Sequence, residues 1–200
     1  MPAGTRLLAL AQVIAAPDAW APAAATNSWD TIGAASPGSV LFRLLDDQPR
    51  RIRIAGRASL PSAISLEHAA WIERYFEAAY TLRHRDANPR FSTALSAYHS
   101  WNHTESPRLA LAHLWVGLEA LFASGTSRIT AGLASRIPLW VPSVTEGDVR
   151  RLYGLRCDAV HGRSVSDMLF AAALADTCEL LRTTLARCIE TSTLPVTTRR

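Results

Sequence analysis

Arg156 and His161, with four residues between them just ahead of Gly162, are the pair in this chain best suited to chemistry. A guanidinium is permanently charged and fork-shaped, so it matches a phosphate bidentately. An imidazole exchanges protons near neutral pH and serves as general base or general acid. Together they are a sufficient minimal set for cutting RNA without a metal. The 2′-hydroxyl attacks the adjacent phosphorus, charge grows on the non-bridging oxygens, and protons move at the sugar oxygens. Acid–base help of this kind contributes roughly 10²–10⁴-fold in rate. Five steps along a helix turn a side chain by about 140°, so the two groups do not share a narrow face of a straight helix. They converge if the last turn unwinds at Gly162. They also converge if two copies of the helix meet across a two-fold axis, which makes a cleft with two arginines and two imidazoles.

Around this pair stand further groups. Arg151 and Arg163 add positive charge, and Tyr153, one turn before Arg156, offers a ring that stacks on a base or packs in a core. Glu119 falls inside an apolar stripe and needs a partner whatever its function. A purely structural account covers the same residues: Arg156 pairs with Glu119, and His161 caps the last carbonyls of its helix. His99 and His103 are spaced as two metal ligands on one helix face can be, but no third ligand accompanies them, so no metal is expected. Cys157, beside Arg156, reads as a small core residue before it reads as a nucleophile.

The elements that must position these groups are helical from Ser65 onward. Ser65 caps a helix carrying Ile72, Phe76, Ala79 and Leu82 at spacings of three and four. Asn88-Pro89 starts a second, with Phe91, Leu95, Tyr98 and Trp101 on one face. Ser106-Pro107 starts a third, whose broad stripe from Leu111 to Phe122 predicts a central, buried helix ending by Gly125. Ser127 starts a shorter helix through Leu133 and Ile137 that Pro138 should stop. Thr145 and Asp148 have the spacing of a capping box for a helix ending at Gly162, and Ser166-Asp167 caps a long last helix through Ile189. Five or six antiparallel helices with short links predict an all-α bundle.

Upstream the character changes. Residues 15–39 are rich in Ala, Pro, Gly, Ser and Thr and read as a loop or loose arm. Residues 40–45 and 51–54 read as a β-hairpin around Asp46-Asp47-Gln48-Pro49, with one wet face. The expected division is an N-terminal arm over 1–60, a helical domain over 61–192 and a flexible tail over 193–200.

Composition sets outer bounds. The chain has 200 residues, 48% hydrophobic and 19% charged, which excludes a wholly disordered protein. No apolar run reaches the roughly 20 residues of a membrane span. Leu7 to Ala16 has the outline of a short export signal, but Gln12 interrupts it, and a cytoplasmic location is expected. Three cysteines without CxxC spacing fit a reducing compartment. The net charge of +4 favours a polyanionic partner only weakly, because every one of the 21 basic residues is Arg. Alanine is also about one residue in six, above typical usage, and both biases are those of a GC-rich genome.

Two blocks resemble the HEPN superfamily, and within it the Apea-like HEPN group. Leu114-Trp115-Val116-Gly117-Leu118-Glu119-Ala120-Leu121-Phe122 is similar to the group's helix with a Leu-Glu-x-Leu core. Tyr153-Gly154-Leu155-Arg156-Cys157-Asp158-Ala159-Val160-His161-Gly162 is similar to its Tyr-x-x-Arg-Ser-x-x-Val-His-Gly signature, with Cys157 in the usual Ser position. The resemblance covers about residues 65–190. It implies an all-α bundle that forms a homodimer with the Arg-x4-6-His motif at the interface, as a metal-independent endoribonuclease without a cofactor. Arg156 would then stabilise the phosphate, His161 would be the acid or base, and Glu119 would orient the Arg. Tyr153, Arg163 and Arg151 would contact RNA. Many members are bacterial toxins or anti-phage effectors, so an antitoxin or defence-complex protein is an implied partner. Some keep the fold as non-catalytic RNA- or protein-binding modules, which is the alternative expectation.

Overall fold

The computed structural model describes residues 13–14, 23–25, 42–44, 65–85, 89–103, 106–123 and 128–197. From Leu66 onward the described residues form six α-helices: α1 (Leu66–Arg85), α2 (Arg90–Ser100), α3 (Pro107–Phe122), α4 (Ile129–Trp140), α5 (Glu146–Val160) and α6 (Asp167–Thr191). A 3₁₀ turn, Trp101–His103, extends α2. The all-α class read from the sequence is therefore what the described helical region adopts. No described helix is long and apolar enough to cross a membrane.

The serine start signals of α1, α3 and α6 act as their chemistry requires, whereas α2 and α4 have Pro89 and Arg128 at the cap position, without a side-chain cap. The hydroxyls of Ser65, Ser106 and Ser166 accept from the backbone N–H groups of His68, Leu109 and Leu169. Helix α3 is the central element. Leu111, Leu114, Trp115, Leu118, Leu121 and Phe122 are all fully buried, against α2, α5 and α6. Each large apolar side chain buried in this way contributes about 1.5–3 kcal/mol, far more than any helix propensity, so packing fixes α3 in place. Among the other helices, Phe91, Tyr98 and Trp101 are also fully buried, as the period of α2 requires.

At Gly117 α3 packs closely on its neighbours. A Cβ there would sit 2.8 Å from Leu181 Cδ2 and 3.3 Å from the Ala97 Cβ. Overpacking costs about 1–3 kcal/mol, and the helix gain of Ala over Gly returns about 1. Gly117→Ala is accordingly expected to lower the thermal midpoint by a few degrees, about 2–4 °C per kcal/mol for a chain of this size. A midpoint at or above wild type, in a thermal melt followed by circular dichroism, would contradict this packing.

Three expectations need amendment. Pro138 does not stop α4, which continues to Trp140. Only one intrahelical bond is lost by a proline so near the end, and the Val141 N–H still closes the last turn on the Ile137 carbonyl at 2.7 Å. Strand β2 (Phe42–Leu44) lies where a strand was read, but its antiparallel partner is β1 (Ala23–Ala25), from the stretch read as a loop. The proposed return strand at 51–54 lies outside the described residues. At the other end, Pro195 of the expected tail is buried, and its carbonyl accepts from Arg90 Nη2 at 2.7 Å. Arg182 likewise holds Val13, whose carbonyl accepts from its Nη1 at 3.0 Å while the side chain packs in the core.

Candidate active site

Helix α5 carries the Arg-x4-His stretch, and both of its ends are locally determined. At the N-terminus Thr145 and Asp148 form the capping box read from the sequence: the Asp148 N–H donates to Thr145 Oγ1 at 3.2 Å, and the Thr145 N–H to Asp148 Oδ2 at 3.1 Å. At the C-terminus Gly162 is left-handed, with φ +68°, and Arg163 N–H reaches back to the Asp158 carbonyl at 2.9 Å. With the Gly162 N–H directed to Ala159, this is a Schellman closure. His161 is the cap residue, and its imidazole is exposed, with no side-chain partner among the described residues.

Bonds from the Thr145 side chain, then its backbone, hold the Asp148 carboxyl below its ordinary value. A depressed carboxyl favours folding above the unfolded-chain value, and that contribution disappears as pH falls through the folded value. Asp148→Asn should therefore reduce the loss of thermal midpoint between neutral and strongly acidic pH. An identical acid limb in the variant would show that the capping box does not contribute to it.

Inside the bundle, α5 meets α3 through polar groups. Arg156 Nη2 lies 3.3 Å from Glu119 Oε1, and the two side chains are 22% and 23% exposed. The Arg156 guanidinium also sits 5.4 Å from the centre of the Tyr153 ring, which meets Trp115 edge-on at 5.0 Å. Burial, reinforced by the neighbouring Glu119 carboxylate, pushes the Tyr153 hydroxyl above its ordinary value, so it is a donor at neutral pH. Arg156 Nε, Glu119 Oε1 and Trp115 Nε1 are buried without hydrogen-bond partners among the described residues. The Arg156–Glu119 contact is thus a charge pair at 3.3 Å without hydrogen-bond geometry. Buried polar groups are normally satisfied, so this cluster retains donor and acceptor capacity.

The six residues singled out from the sequence do not all gather here. Glu119, Tyr153 and Arg156 do. His161 follows them on α5, yet no bond or ring contact joins it to Arg156. The helix stays regular through Val160, so one chain does not bring the two groups together by unwinding. Arg163 is exposed and pairs with Asp158 at 3.2 Å, which gives Asp158 a local structural role. Arg151 points elsewhere, to Asp176 of α6 at 3.2 Å. Tyr153 is only 9% exposed, with its ring already engaged by Trp115 and Arg156. Cys157 is partly buried and packs against the core. His99 and His103 meet edge-on at 5.6 Å, but no group of three or more metal-ligating side chains exists among the described residues.

Arg108 is a positioning residue that pattern reading overlooks. Its Nη1 donates to the Arg163 carbonyl at 3.1 Å and approaches the Ala159 carbonyl at 3.4 Å, while its guanidinium lies 5.6 Å from the Phe170 ring centre. It therefore clamps the His161 turn to the N-terminus of α3. The available signal is an arginine in the first turn after Ser106-Pro107, where a helix dipole favours acids. No family model, curated protein or solved structure matches this chain.

Proposed function

We propose that this chain is an endoribonuclease of the HEPN type, acting without a metal at a site built by two copies of α5. One observation carries the reading. Arg156, part-buried against Glu119 of α3 and with unmet hydrogen-bonding capacity, lies on the same helix whose cap presents an unengaged imidazole. The contact with Glu119 leaves guanidinium donors of Arg156 unsatisfied, and a phosphate oxygen is an acceptor that suits them. Because α5 stays helical through Val160, the offset of about 140° over five residues is best closed across a two-fold axis, where each copy contributes Arg156 and His161.

The roles follow from the chemistry. One imidazole removes the 2′-hydroxyl proton as the 2′-oxygen bonds to phosphorus. The P–O5′ bond breaks as a proton is delivered to O5′, leaving a 2′,3′-cyclic phosphate and a 5′-hydroxyl. Arg156 neutralises charge on the non-bridging oxygens, Glu119 holds it in place, and exposed Arg163 draws the strand toward the notch. The family resemblance extends this to a cytoplasmic toxin or anti-phage effector with an antitoxin or defence-complex partner. Purified protein incubated with total RNA should yield cyclic-phosphate ends at a rate that EDTA does not alter. Complete loss with EDTA would replace this mechanism with a metal-dependent one, for which His99 and His103 are the residues to test.

A second reading has its own observation. Arg156 already has a carboxylate and an aromatic face within one chain, which is sufficient reason for its presence in a non-catalytic HEPN module. That reading expects purified protein to leave RNA intact.

A further inference from the structure

Between α1, α2 and α3 runs an open groove of about 490 Å³ that uses none of the candidate active-site residues. Its size falls within the range of small-ligand sites. Ser92, Ser96 and Ser100 stand at successive i+4 positions of α2, so their hydroxyls form a row along one wall. Ser92 Oγ donates to the Pro89 carbonyl at 3.0 Å and Ser100 Oγ to the Ser96 carbonyl at 2.8 Å. Both hydroxyl protons are spent on backbone carbonyls, so what remains for a ligand is their capacity to accept, which suits a ligand hydroxyl. Arg83 of α1 and exposed His113 of α3 bring nitrogen donors, which suit an anion. Val116, 44% exposed, supplies an apolar face.

Acceptors for a sugar hydroxyl, donors for a phosphate and one apolar face match a ribonucleotide. The groove also adjoins the candidate active site. Val116 and Glu119 are i, i+3 neighbours on α3, with Cβ atoms about 5–6 Å apart. The groove wall is thus one step from the carboxylate that holds Arg156. We propose that this groove binds a nucleotide unit of the single RNA strand whose scissile phosphate lies at Arg156, which rests on the function proposed above. The hydroxyl row reads the 2′-OH, the group that separates RNA from DNA.

The test uses full-length protein carrying His161→Ala, so that a short uridine oligoribonucleotide can be titrated by fluorescence anisotropy without being cut. Ser96→Glu places a carboxylate at an exposed groove position and should weaken RNA binding about tenfold with the thermal midpoint unchanged. Arg83→Ala should reduce the salt slope by about 0.7, the value for one phosphate contact on a single strand. DNA of matched sequence should bind more weakly than RNA. RNA affinity unaltered by both substitutions overturns the proposal, as does Ser96→Glu-sensitive binding of uridine monophosphate without binding of the oligomer. Cleavage by the His161-containing protein is scored separately. Groove-dependent binding without cleavage leaves this inference standing and removes the nuclease, whereas cleavage with an inert groove does the reverse.

Discussion

His161→Ala is expected to lower RNA cleavage by roughly 10²–10⁴-fold, the share that positioned acid–base groups supply. The same substitution should barely alter stability. The imidazole is exposed at the cap of α5 and has no side-chain partner among the described residues, while the turn is held by backbone bonds from Gly162 and Arg163 and by Arg108. Surface changes away from such features stay within about 0.5 kcal/mol. The combination is diagnostic, because a histidine kept for structure would give the opposite pattern. A thermal midpoint lowered by several degrees with RNA intact in both proteins would favour the non-catalytic module. Undiminished cleavage by the variant would remove His161 from the site.

Breaking the pair between α3 and α5 should be costly in two ways. Separating a buried ion pair by removing one partner costs about 3–5 kcal/mol. Arg156 and Glu119 each keep about a fifth of their side-chain surface in water, so about 2 kcal/mol is expected for Arg156→Ala or Glu119→Ala alone. Arg156→Met combined with Glu119→Leu should cost less than the sum of Arg156→Met and Glu119→Leu measured singly, because neither charge is then left alone. Arg156→Lys keeps the charge and loses the fork; cleavage should fall at least tenfold with little change in fold. Additive stability effects in the double-mutant cycle would mean that the two charges do not interact. Full activity in the lysine variant would mean that the phosphate needs only a point charge.

Most of the helical scaffold is legible in the sequence because its punctuation is local. Ser106-Pro107, Thr145 with Asp148, and Gly162 each act within one turn, and the structure uses each of them as spacing predicts. Pro138 misleads because a proline removes only its own N–H bond to the carbonyl four residues back, a loss that α4 tolerates with just Leu139 and Trp140 still to come. The partner of Phe42–Leu44 cannot be read from a turn signal, since strand pairing is decided by tertiary neighbours.

The arginines are the main lesson about the site. As composition they say little, since GC-rich coding alone would write them. In the fold several satisfy helix C-termini from another element. Arg90 donates to the carbonyls of Ala120 and Leu121, Arg136 to that of Phe122, Arg108 to that of Arg163 and Arg187 to that of Trp140. These partners are too far apart in sequence for any periodic pattern to join them, so positive charge that reads as an RNA footprint is partly structural. The Glu119–Arg156 contact is different. A lone acid in an apolar stripe requires a cation, and the pairing follows from that requirement. Whether Tyr153 faced a base or the core was open by spacing alone; its contact with Trp115 places the ring inside.

The account depends on two copies of α5 bringing their ends together. The most direct measurement is the distance between the two residues 161 in solution, from spin labels on His161→Cys in a Cys157→Ser background, read by pulsed dipolar spectroscopy. Sedimentation on the same sample would give the oligomeric state. A dimer with its labels within about two helix diameters, roughly 20–25 Å, is the predicted result. A monomer, or a dimer whose labels lie on opposite faces, would contradict the shared site.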